Sequence, residues 1–213
     1  MRTIAMVGTC LLCTACSLHA QQTWNNLRFG MNVEEVKQQI SRQGFELRAA
    51  DVVADQHLYI LAPPYTLEVH GVIPTLLFDV QLSFKQTGLC SVILKLDQGK
   101  TLDGKVVDPV ILASWVPQEL SEALIAKYGP PVKSEGICNN SVESLMTLDP
   151  HRLVGCRTTW NVVGQVITTS WMYTSDYRQV EVQVPGKRKT QHKSQLDQTF
   201  RHSITYLPPV SGL

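Results

Sequence analysis

The sequence predicts an α+β protein of two helix-plus-antiparallel-strand units behind an N-terminal signal segment. Three observations carry this: an apolar leader over residues 1–20, a capped helix start at Asn32 followed by two-residue alternation over 76–96, and a second helix over 117–128 followed by alternation over 157–184. Helix then antiparallel strands, twice, is a two-layer pattern, and its recurrence raises a tandem repeat. The implied divisions are a signal peptide at 1–20 (1–15 for a lipoprotein), a first unit at 24–112, a second at 113–185 and a basic, weakly ordered tail at 186–213. No low-complexity run or Gly/Ser linker separates them.

The leader begins with Met1, Arg2 and Thr3, continues through an apolar stretch over 4–12 and gives way to Gln21 and Gln22. That order is the one an export signal needs, and the stretch is short of the roughly 20 residues of a membrane span. Cys10, Cys13 and Cys16 resemble part of a bacterial ferredoxin pattern, but no fourth Cys-Pro and no polar, Gly-rich loop accompany them. Cleavage after Ala20 yields a soluble product; cleavage after Ala15 yields a lipoprotein acylated on Cys16. The soluble product is favoured because Cys13 stands where a lipoprotein box has Leu or Val. The expected location is periplasmic or secreted, with an outer-membrane lipoprotein as the alternative.

Of nineteen basic residues the leader removes only Arg2, so the remainder balances eighteen acidic ones. A neutral chain offers no overall attraction to nucleic acid. The tail departs from this balance, with Lys187, Arg188, Lys189, Lys193 and Arg201 against Asp197. Its reading is a solvated extension; the sharper alternative is a contact for anionic lipid, glycan or a partner. Membrane contact is therefore expected only through Cys16 or this tail.

In the first unit Asn32 can accept from the free amides of a helix start while Glu35 reaches back to it. Val33, Val36 and Ile40 then share a face, and Gly44 supplies a positive φ beyond the end. Short extended segments are expected at 45–48 and 58–61. Over 76–84, Phe78, Val80, Leu82 and Phe84 alternate with Asp79, Gln81 and Ser83, a half-buried strand. A turn at 85–88 returns it through 89–96, with Cys90, Val92, Leu94 and Leu96 on a common face.

The second unit opens at Pro117, suited to a first helical turn, and its helix stops at Gly129-Pro130-Pro131. Leu120, Ala123, Leu124 and Lys127 line one side. After an irregular loop come strands at 157–163, 166–173 and 178–184, the first pair joined at Gly164-Gln165 in a type II′ turn.

The segment Gly30-Met31-Asn32-Val33-Glu34-Glu35-Val36, and the helix ending Lys127-Tyr128-Gly129-Pro130-Pro131 before a Trp160-bearing hairpin, resemble small exported bacterial α+β proteins. These include the β-lactamase-inhibitor-like fold and the small lipoprotein of the outer-membrane assembly machinery. The resemblance implies a helix preceding antiparallel strands and a function in binding another protein. The first unit has a longer strand region than that pattern.

Three thiols follow the leader. Cys90, on an apolar strand face, reads as a small buried hydrophobe. Cys138 and Cys156 bracket the irregular loop, and a disulfide between them is predicted. His57, His70, His151, His192 and His202 show no metal-ligand spacing, there is no G-x-S-x-G turn, and no Gly-rich phosphate cradle follows a strand. No catalytic residue, metal or cofactor is therefore assigned; Cys138 with His151 could only imitate a thiol and base. Trp160, Trp171 and Tyr173 suggest an aromatic platform, with core packing as the competing account. The leading functional expectation is a non-enzymatic envelope module that binds another envelope protein through its sheet face or loops. The alternatives are a small-ligand or glycan binder with a concave aromatic pocket, and a secreted hydrolase with an unrecognised site.

Overall fold

The computed structural model describes residues 24–69, 73–97, 101, 104–138, 145, 152–183 and 190–209. The leader, with Cys10, Cys13 and Cys16, lies outside the described residues, as does His151. Among the described residues two helices cover one face of a single nine-stranded antiparallel sheet. The class is α+β, dominated by sheet.

Helix α1 spans Val33–Ser41. The Asn32 Oδ1 accepts the Glu35 amide at 2.9 Å and the Glu35 carboxylate accepts the Asn32 amide at 2.8 Å, so the expected reciprocal cap is present. Val36 and Ile40 are buried, and Gly44 takes φ 85° beyond the helix. Strands β1 (Glu46–Val53) and β2 (Gln56–Ala62) follow, both longer than the short segments expected. Pro63 and Pro64, which lack ladder donors, separate β2 from β3 (Tyr65–Val69). Both line up against β4 (Ile73–Lys85), β3 on its first half and β2 on its second. β5 (Gly88–Asp97) returns beside β4 through the expected tight turn. The register slips between Ser83 and Phe84, which leaves Cys90 half-buried rather than on the core face with Leu89, Val92 and Leu94.

Helix α2 spans Pro109–Tyr128 and starts eight residues before the expected Pro117. Asp108 caps it by accepting the Val110 amide at 2.7 Å, and Pro109 occupies the first turn where a missing N–H is harmless. Pro117 therefore lies inside the helix and has no N–H to offer the Ala113 carbonyl. The boundary expected at 112/113 falls within this element. Leu120 and Leu124 are buried as expected; Ala123 is exposed, and Lys127 lies over the Tyr128 ring.

The remaining strands are β6 (Lys133–Gly136), β7 (Arg152–Val162), β8 (Gln165–Gln183) and β9 (Thr190–Leu207). Val162 pairs with Gln165, so the β7–β8 turn is Val163-Gly164, with the left-handed residue second; it is not the Gly-first turn expected. The strands expected at 166–173 and 178–184 are one continuous strand. The largest departure concerns the tail. Far from being weakly ordered, residues 190–207 form β9, hydrogen-bonded on one side to β8 and on the other to β5. Phe200, His202, Ile204 and Tyr206 keep strict alternation inside a polar composition, and burying that phase outweighs the solvation of the rest.

The sheet order is β1-β2-β4-β5-β9-β8-β7-β6, with β3 beside β4. Direct partners share a face, which sets Leu82, Val92 and Tyr206 in line with Ile167 and Trp160 on the core side. The helices add Val36, Ile40, Val116, Leu120 and Leu124 to the same core. Beyond Ser175 and Arg201, where β7 and β5 stop, β8 and β9 continue together as a two-stranded ribbon.

Candidate functional site

The sheet and α2 leave a groove of about 770 Å³ between them. Its helical wall is Ala113, Ser114, Pro117, Gln118, Ser121 and Glu122, one side of α2 around the internal proline. The floor is the core phase of three adjacent strands: Cys156 and Thr158 on β7, Thr169 and Trp171 on β8, and His202 on β9. Cys156 pairs with Trp171 and Trp171 with His202, so these side chains stand in one row across the floor. Pro131, Ser134 and Cys138 close the β6 end.

The disulfide predicted between Cys138 and Cys156 is present, with the two Cα atoms 4.8 Å apart. It ties the segment after β6 to β7 and forms part of the groove wall. Cys138 therefore has no free thiol and cannot serve as a nucleophile. The Ser134 hydroxyl lies 3.4 Å from that of Thr158, which in turn lies 3.4 Å from the Cys156 sulfur. On the helix side the Ser114 hydroxyl donates to the Val110 carbonyl at 2.7 Å and the Gln118 amide donates to Glu122 at 3.0 Å.

Trp160, Trp171 and Tyr173 do share one sheet face, but it is the core face. Trp160 and Tyr173 are wholly enclosed, so they cannot form an exposed platform. The Trp160 indole N–H donates to the Gly129 carbonyl at 3.0 Å and so pins the end of α2 to β7. Burial pushes the Tyr173 phenol up, with Ser175 and Gln198 nearby working the other way. Trp171 alone of the three borders the groove.

His202 is the residue of this site that no sequence motif marks. It is 3% exposed, its ring lies 6.4 Å from Phe200, and its Nδ1 makes no hydrogen bond. Burial alone pushes its pKa from 6.5 to about 3, so the ring is neutral at physiological pH. A buried, unbonded ring nitrogen costs about 1–3 kcal/mol unless something satisfies it. The available signal was the phase of 200, 202, 204 and 206, which places a histidine where the pattern calls for an apolar residue.

Among the described residues no cluster of three or more His, Cys, Asp or Glu could hold a metal ion. No described helix is long and apolar enough to cross a membrane. Comparison with known proteins finds no matching family model, no curated protein and no solved structure with significant similarity to the chain.

Proposed function

We propose that the chain is an exported, non-enzymatic binding module of the bacterial cell envelope, and that its partner is another protein docked on the sheet face opposite the helices. The observation that carries this reading is the make-up of that face. One row crosses it from Asp79 through Lys95, Ser203, Ser170 and Arg157 to Glu135, a hydroxyl-bearing centre flanked by paired opposite charges. A second runs from Ile60 through Gln81, Ile93, Thr205 and Thr168 to Thr159, about 25 Å at ordinary strand spacing. Exposed Ile60, Leu153 and Leu207 add apolar contact to the same side. Such a mixture suits the wet, polar interface of a reversible complex.

The proposal extends to the organisation of the chain. Each helix is followed by an antiparallel set whose last member, β5 or β9, pairs with the other across the centre. This arrangement supports a tandem repeat whose second member runs to residue 207. Export through the leader, ending at Ala20 or at a lipidated Cys16, is part of the same reading, and intact-mass analysis of the secreted protein distinguishes those ends.

A photo-crosslinking residue placed at Ser170 in living cells tests the docking face. The expected result is one discrete envelope-protein adduct, weakened by Arg157→Glu on the same row and unaffected by a probe on the outer side of α2. Repeated absence of an adduct from Ser170, Ser203 and Thr205 counts against it. The groove beside His202 favours a second reading, a small-ligand site on the opposite side of the sheet.

A further inference from the structure

We infer that the groove between α2 and the β7–β9 floor is a binding site for a neutral, hydroxyl-rich ligand of short-saccharide type, held through the His202 ring and the threonines beside it. The inference rests on the small-ligand reading above and gives that site its chemistry. Its volume falls in the range of small-molecule sites, about 300–1,000 Å³.

Charge selects first. Among the described residues no Lys or Arg lines the groove, and desolvation keeps His202 neutral, so none of them compensates an anion. Glu122 carries the one carboxylate among the described lining residues, and it already accepts from Gln118 on the helical wall. Polarity selects next. A purely apolar occupant would do nothing for the His202 Nδ1, which has no hydrogen-bond partner, and would face the polar side chains of Thr158, Thr169 and Ser121. Hydroxyl groups serve all of these, because each can donate to a ring nitrogen or threonine oxygen and accept from a threonine or serine. Pro117, which has no N–H for the Ala113 carbonyl, is part of the same wall. The apolar parts of a sugar ring then meet Pro117, Pro131, the disulfide and the accessible edge of Trp171.

The test is an NMR titration of the full chain, following the His202 ring and the Trp171 indole. The probes are cellobiose and N,N′-diacetylchitobiose, with anionic glucuronate and cationic glucosamine for comparison. The neutral disaccharides are expected to shift both side chains saturably. His202→Phe should weaken binding about tenfold, as loss of a hydrogen bond to a buried group does. Ser121→Trp, a change at a half-exposed helical position, should close the groove and abolish the shifts while leaving the melting temperature in place. An unchanged dissociation constant in Ser121→Trp overturns the site. If only glucosamine or glucuronate shifts the rings, the small-ligand reading stands and the neutral-ligand inference falls. If no probe shifts them, both fall.

Discussion

At the scale of single residues, the side chains that define the groove also carry measurable thermodynamics. His202 is neutral when folded and ordinary when unfolded, so between about pH 3 and 6.5 the unfolded chain binds a proton that the folded chain refuses. Its contribution to stability is whole above pH 6.5 and is lost as the pH falls toward 3. Urea titrations from pH 7 to 4 should show His202→Phe losing less stability than the parent, by about 1.4 kcal/mol per pH unit in the lower part of that window. Parallel slopes would mean that the ring is protonated in the fold. The Cys138–Cys156 bridge closes a segment with a sequence separation of 18. Replacing both by serine should remove about 3 kcal/mol on the loop-entropy account, read as a fall in the urea midpoint. Gly88 holds another constraint: it sits at φ 98°, and a Cβ there would lie 2.3 Å from the Gly30 carbonyl oxygen.

At the scale of elements, what the sequence disclosed depended on whether local signals agreed with tertiary ones. The start of α1 was legible because a cap, an apolar face and a following glycine coincide within a few residues. The β4–β5 hairpin was legible because alternation runs unbroken up to its turn, whereas the bulge at Cys90 on the return arm was not. The first half of α2 was not, because Pro117 reads as a helix start when Asp108-Pro109 upstream is a second, equally good one. β9 was hidden by composition: polar residues dominate, and only Phe200, His202, Ile204 and Tyr206 mark the buried phase. The bridge was legible from cysteine placement, whereas the groove joins residues 113–122 to 156–171 and 202, which no local pattern connects. A chain ending at residue 189 provides the sharpest check on β9. It should lose dispersed amide signals and cooperative melting, since β5 and β8 would each lose their shared neighbour. A truncated chain that still melts cooperatively would return the segment to the status of an appendage.

At the scale of the whole molecule, the two halves are continuous. β9 fills the space between β5 and β8, so the core of the first half and that of the second are one cluster from Val36 to Trp160. The helices occupy one side of this sheet and the polar rows the other, so the groove and the polar face are separate surfaces. The central place of β9 has a further consequence in time. During synthesis from the N-terminal end, every other described strand emerges before it. Until residues 190–207 follow, β5 and β8 have no common neighbour and the sheet cannot close. Such a chain reaches its compact form only late in its emergence, after the whole of its sheet but one strand has been made.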